Sequence, residues 1–291
     1  MDKKRLKGLV YTFGKGIGFL ALFYVLYKLS QEYTLSEFLA KFNTIKSFLI
    51  PLIIINLLSS VIGIYAWHLM LLQYAKSSFS YLSSYYYFAK TEISKYLPGN
   101  IFHFVGRQAL ASKLGISQVD MAKISLLFTI SLMVATILSS TILAIFINIA
   151  LYIKLLMAIS SIAALLLIYF SYPIINKKVK SQTTAILTFS IALQGVMLAL
   201  IVYVQVDTLN LEQFLKLSSA YIISWLIGFV TPGASGGLGV REGAFLAIAN
   251  FIQLNIANEV VLFSILLIRL INILVDILMF ISTFSITKKI V

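Results

Sequence analysis

Along this chain the polar positions are gathered into short stretches between long apolar runs, and the lengths of those runs set the first reading. Six of them approach or exceed the ~20 residues a helix needs to cross a bilayer: about 10 to 29, 48 to 73, 123 to 149, 154 to 173, 183 to 206 and 259 to 286. Two regions break the pattern. Residues 79 to 112, FSYLSSYYYFAKTEISKYLPGNIFHFVGRQALAS, are aromatic and half polar, carry Lys90, Glu92 and Lys95 in a first arm, and end in an arm too short to cross. Residues 211 to 254 follow the same plan, an arm, a Pro-Gly break within TPGASGGLGVREG, then a short arm. The predicted fold is an all-α polytopic membrane protein with about six transmembrane helices and two re-entrant helical hairpins.

Composition limits what such a chain does. It is 60% hydrophobic and 11% charged over 291 residues, which leaves no room for a soluble catalytic domain of ordinary size beside the spans. A net charge of +13 suggests nucleic acid in a soluble protein, but here Lys and Arg occupy the connectors. They read as orientation signals, and no nucleic-acid partner is expected. Cysteine is absent and the two histidines are far apart, so no metal site and no cofactor is expected. The N-terminal MDKKRLK precedes an apolar run without a small-residue cleavage pattern, and reads as the start of an uncleaved first span.

The positive-inside rule decides how the two irregular regions thread. Lys3, Lys4, Arg5 and Lys7 place the N-terminus in the cytoplasm. If residues 79 to 112 enter and leave on the cytoplasmic side, Lys113, Lys123, Lys177, Lys178 and Lys180 fall inside and Lys154 alone falls outside. Asp207 and Glu212 are then outside, residues 211 to 254 dip in from that face, and Lys288 and Lys289 end inside. Were residues 79 to 97 the only extra span, the cluster at 177 to 180 would move outside, against the rule. The two hairpins also match each other: Pro98-Gly99 precedes Arg107 by nine and eight positions, as Pro232-Gly233 precedes Arg241. The chain reads as one integral domain, 1–291, of two inverted halves: about 48–149 with hairpin 79–112, and about 183–286 with hairpin 211–254. Transport folds built this way place their site near the midplane, between broken helices.

The candidate site residues are the ionisable groups at membrane depth. In the second hairpin, Gly233, Gly236, Gly237 and Gly239 permit positive φ and close approach, and a helix starting near Val240 would aim its free N–H groups into the break. With Arg241 beside them this makes an anion site; the plain alternative is a turn with Arg241 and Glu242 at a wet surface. In the first hairpin, His103 and Arg107 are one turn apart on one helical face, able to hold a phosphate or carboxylate, though such a histidine is as readily a packed one. Arg269 and Asp276 interrupt the last span seven residues apart, ~10 Å along the axis, so each needs an interior partner. Expected pairings are Asp276 with Arg107 or Arg241 and Arg269 with Glu242, in a substrate or proton-coupling role or as a static lock. The aromatic run 81 to 88 is expected as an interface belt. No nucleotide-binding loop, zinc-protease helix or acid/base carboxylate pair is present, so the chain is not expected to be an enzyme.

The motifs KYLPGNIFHFVGRQAL and TPGASGGLGVREG resemble those of the flippase-like transmembrane family named after the membrane region of lysylphosphatidylglycerol synthase. The resemblance covers most of the chain, and the second motif is the more specific. It implies family motif positions at Pro98, Gly99, Gly106 and Arg107, and at Pro232, Gly233, Gly237, Gly239 and Glu242. It further implies a multi-pass protein of the cell inner membrane whose relatives, when fused to a soluble synthase domain, are held to move the modified lipid to the outer leaflet. Only a few residues follow the sixth run, so aminoacyl transfer is not expected. The leading expectation is translocation of an anionic phospholipid or polyprenyl-linked glycolipid, with membrane lipids as partners. Alternatives are a secondary transporter of a small soluble anion, and a non-transporting membrane partner of an envelope or polysaccharide synthesis enzyme.

Overall fold

A chain in hydrocarbon must satisfy every backbone N–H and C=O within itself, which makes the helix the default for each apolar run. The structure, a computed structural model, describes residues 35–75, 80–96, 102–170, 176–206, 208–231, 237 and 239–290. Among them there are ten α-helices and no strand: α1 Leu35–Ile45, α2 Leu49–Leu71, α3 Tyr81–Glu92, α4 Phe102–Leu110, α5 Gln118–Ile145, α6 Leu151–Phe170, α7 Lys177–Tyr203, α8 Leu211–Val230, α9 Val240–Phe251 and α10 Asn258–Ile290. The starts follow local chemistry. Ser80, Ser117, Asn176 and Asn210 each accept a backbone N–H with the side chain, and Asn210 closes a reciprocal capping box with Gln213.

Six helical stretches are long and apolar enough to cross a membrane: Phe42–Leu71, Gln118–Ile145, Leu151–Phe170, Lys177–Tyr203, Leu211–Val230 and Asn258–Ile286. The chain is an all-α, multi-pass membrane protein. This set differs from the sequence expectation at two places. The run at 10 to 29 lies outside the described residues, and 211–230, expected as a hairpin arm, is long enough to span alone. Glu212, Gln213, Lys216, Ser218 and Ser219 thin its apolar character without shortening the helix. The hairpins are therefore unequal, with arms of 12 and 9 residues in the first and 20 and 12 in the second.

Helix α7 is the hub: α2, α5, α8 and α10 all pack on it. Helix α6 is peripheral, with Leu151, Leu155, Leu156, Ile159, Ile162 and Leu166 all outward, a surface suited to lipid rather than water. Polar residues close the hub contacts. Ser59 and Ser190 donate their hydroxyls to each other's carbonyl oxygen at 2.9 Å across α2 and α7, and Gly195 brings α7 against α8. A Cβ at Gly195 would lie 2.9 Å from the Ser218 carbonyl oxygen and 2.7 Å from Ile222 Cδ1. Gly195→Ala is expected to destabilise by about 1–3 kcal/mol through overpacking. Gly63→Ala, whose Cβ would meet only Ser190 Oγ at 3.6 Å, is expected to be neutral or better; thermal unfolding in detergent compares the two.

The aromatic run on α3 is not a belt. Ser84, Tyr86 and Phe88 are buried, and α3 packs against α2 and α10. Two tyrosines are tied to those neighbours: Tyr81 donates to the Val61 carbonyl of α2 at 2.9 Å, and Tyr85 shares a 2.8 Å hydrogen bond with Ser282 of α10.

Candidate functional site

Helix α10 carries two charges deep in its length, and each is met by a different hairpin. Arg269, eleven residues after Asn258 and so ~16 Å into the helix, donates through Nη1 to Glu242 Oε1 at the start of α9. Asp276, ~10 Å further along, accepts from Lys95 Nζ at 2.8 Å and from the Tyr96 hydroxyl at 2.6 Å, just before the break of the first hairpin. The Arg269–Glu242 pairing is the expected one. The Asp276 pairing with Arg107 or Arg241 is not: Lys95 takes that place, because the end of α3 and the 3-10 turn Ile93–Tyr96 reach α10 while α4 turns away from it.

Arg107 is held elsewhere. Its Nη2 donates to Glu92 Oε2 at 2.7 Å, and Lys95 Nζ donates to Glu92 Oε1 at 3.1 Å, so one chain of charges runs Asp276, Lys95, Glu92, Arg107. The guanidinium carbon is 4.3 Å from the Phe88 ring centre and within 6 Å of Trp67, Phe104 and Phe128. With only 4% of its surface exposed, Arg107 is a caged cation already supplied with a carboxylate and aromatic faces. His103 is buried one turn earlier, with Nδ1 unbonded. Gly106 lets the arms close, since a Cβ there would stand 3.0 Å from Thr91 Cγ2.

Arg241 differs from the other three cations. No carboxylate lies within ion-pair distance of it among the described residues, and its Nε is buried without a hydrogen bond. Two glycines make room for its stem: a Cβ on Gly228 would fall 2.2 Å from Arg241 Cγ, and one on Gly237, at φ +73°, 2.5 Å from Nε. Its guanidinium stands 5.3 Å from the centre of the Trp225 ring. Beside it α9 begins at Val240, after Gly239 at φ +78°, with no side-chain cap on its first turn. The expected helix start near Val240 is thus present. Pro98, Gly99, Pro232 and Gly233 lie outside the described residues.

These groups surround a cavity of about 230 Å³ between the hairpins and helices α2, α5, α7, α8 and α10. Arg107, His103, Arg241, Arg269 and Asp276 line it, and Glu242 stands behind Arg269. Among the described residues its four cations, Lys95, Arg107, Arg241 and Arg269, face three carboxylates, Glu92, Asp276 and Glu242, which leaves one positive charge over. The neutral polar groups of the lining are hydrogen-bonded to one another: Asn56 donates to Asn272, Asn272 in turn reaches the Tyr221 hydroxyl at 3.5 Å, and Gln194 donates to Ser59 Oγ at 3.1 Å. Sequence reasoning did not pick out Glu92, Lys95 and Tyr96 as site members, nor these neutral groups. A lone amide within an apolar run, as at Asn56 and Asn272, is the signal that marks such positions. Set beside known proteins, the chain matches no protein-family model and no curated protein.

Proposed function

We propose that this protein translocates lipids that carry an anionic headgroup, admitting the headgroup to the central cavity while the acyl chains stay in the bilayer. One observation carries the reading: Arg241 brings a positive charge to the cavity without a carboxylate partner among the described residues, next to the N-terminus of α9. An uncompensated cation at membrane depth costs roughly 2.5–3.5 kcal/mol on insertion scales, and an anion held there removes that cost. The cavity is large enough for a headgroup and too small for a whole lipid, so the tails must lie outside it. The hairpins support an alternating device. On the expected topology they enter from opposite faces, and the residues flanking their breaks, Lys95 and Glu242, meet α10 only ~10 Å apart, so exchange of those contacts opens the cavity to one leaflet at a time. No covalent chemistry is required. This reading agrees with the family that the hairpin motifs resemble, with a cell inner membrane location and cytoplasmic termini, and with envelope-synthesis enzymes as suppliers of the lipid.

Reconstitution in liposomes tests it. Fluorescent phosphatidylglycerol is expected to exchange between leaflets at least tenfold faster with protein than without, and fluorescent phosphatidylcholine much less so. Equal rates with and without protein across lipid classes would sink the proposal. Release of entrapped inorganic phosphate without lipid exchange would instead establish a transporter of a small soluble anion, to which the same cavity chemistry applies.

A further inference from the structure

A second cavity, of about 890 Å³, lies along a different face of α7 from the first, between α5, α6 and α7. It exists because α6 packs along α5 but barely touches α7, which leaves a cleft between two long helices. Its walls are aliphatic over most of their length, from Leu138 and Ile142 on α5 to Leu165 and Leu166 on α6. Its one charged end is made by Lys177 and Lys180, where α7 begins. Lys180 is only 4% exposed, while Lys177 Nζ donates to the Tyr169 hydroxyl at 2.8 Å at the mouth. No acidic residue lines the cleft among the described residues.

We infer that this cleft is a binding site for one anionic phospholipid, its acyl chain along α7 and its phosphate at Lys177 and Lys180. Length and charge both select that occupant. From Lys177 to Ala192 the groove runs ~22 Å along α7, more than one leaflet's share of a hydrocarbon core about 30 Å thick. The positive end of the α7 dipole adds to the two lysines at the phosphate position. A zwitterionic lipid fills the apolar length equally well but gains less at the charged end, where its own cationic group opposes the two lysines. The site is independent of the proposed translocation, since different faces of α7 line the two cavities: Leu187, Ser190 and Gln194 face the first, Thr184, Thr188 and Ala192 the second.

Native mass spectrometry of the full chain from mixed phosphatidylglycerol and phosphatidylcholine micelles reads this out. One phosphatidylglycerol is expected to be retained in preference to phosphatidylcholine. Lys177→Gln and Lys180→Gln should each weaken that preference about fivefold, near 1 kcal/mol per lysine. Lys178→Gln removes the same charge from the same turn but does not line the cleft, and should leave the preference unchanged. Ala185→Trp, which fills the groove, should lower retention of both lipids. Equal retention of the two lipids, or a Lys178→Gln effect as large as that of Lys177→Gln, would overturn the site in favour of a diffuse basic surface; Lys177 is exposed enough for its substitution to leave folding intact.

Discussion

Replacing Glu92 by alanine is expected to lower the stability of the protein by about 3–5 kcal/mol, the cost of leaving a buried cation without its carboxylate. The cation is Arg107, whose side chain is 3% exposed and whose ion-pair partner among the described residues is Glu92. The aromatic cage does not soften the loss. Phe88, Trp67, Phe104 and Phe128 already face the guanidinium in the native protein, so their contribution is present before and after the change. Asp276→Asn makes the contrast, because Lys95 keeps Glu92 at 3.1 Å and the Tyr96 hydroxyl still has an oxygen to donate to. Its expected cost is nearer 1–2 kcal/mol, a hydrogen bond to a charged group weakened rather than removed. Denaturant unfolding in detergent ranks the two, and a Glu92→Ala protein as stable as Asp276→Asn would show that Arg107 does not depend on this pair.

Most of what the site contains was legible because charge is costly in an apolar context. Arg107, Glu242, Arg269 and Asp276 stood out against their neighbours, as did Arg241 beside its glycines, and each is at or beside the cavity. Their partners were less legible. A helix seven residues from Arg269 to Asp276 shows which face is polar, but which hairpin meets each residue depends on where the turn Ile93–Tyr96 ends, and no period encodes that. Glu92 and Lys95 were visible as charges yet read only as part of a half-polar arm, since Lys90, Thr91 and Ser94 surround them. Burial came from the partners α2 and α10, whose faces close over α3. The same cause misplaced the aromatic run 81 to 88, which has the composition of an interface belt but buries Tyr86 and Phe88. Helix α8 shows the reverse case: five polar residues weakened its apolar signal, while a capping box and 20 uninterrupted helical residues gave it full length.

Arg241→Gln is expected to remove at least nine-tenths of anionic lipid exchange in liposomes while changing stability by less than ~1 kcal/mol. The two parts follow from one fact: no carboxylate among the described residues is paired to Arg241, so its loss strands no opposite charge there, unlike loss of Arg269, which would leave Glu242 buried at 2% exposure. Removing an unpaired guanidinium from low dielectric relieves a desolvation cost, which offsets the packing lost where its stem crosses Gly228 and Gly237. Arg269→Gln should therefore lose both stability and exchange, and Arg241→Gln exchange alone. Arg241→Lys sharpens the assignment. A lysine keeps the charge but not the planar fork or the face that meets Trp225, so a site that needs only a cation keeps most of its activity, and one that holds a phosphate in two-point fashion does not. The headgroup reading expects the second result, with exchange at an intermediate level and phosphatidylglycerol selectivity reduced. Undiminished exchange by Arg241→Gln at wild-type stability would remove the cavity's unpaired cation from the mechanism and, with it, the observation on which the proposed function rests.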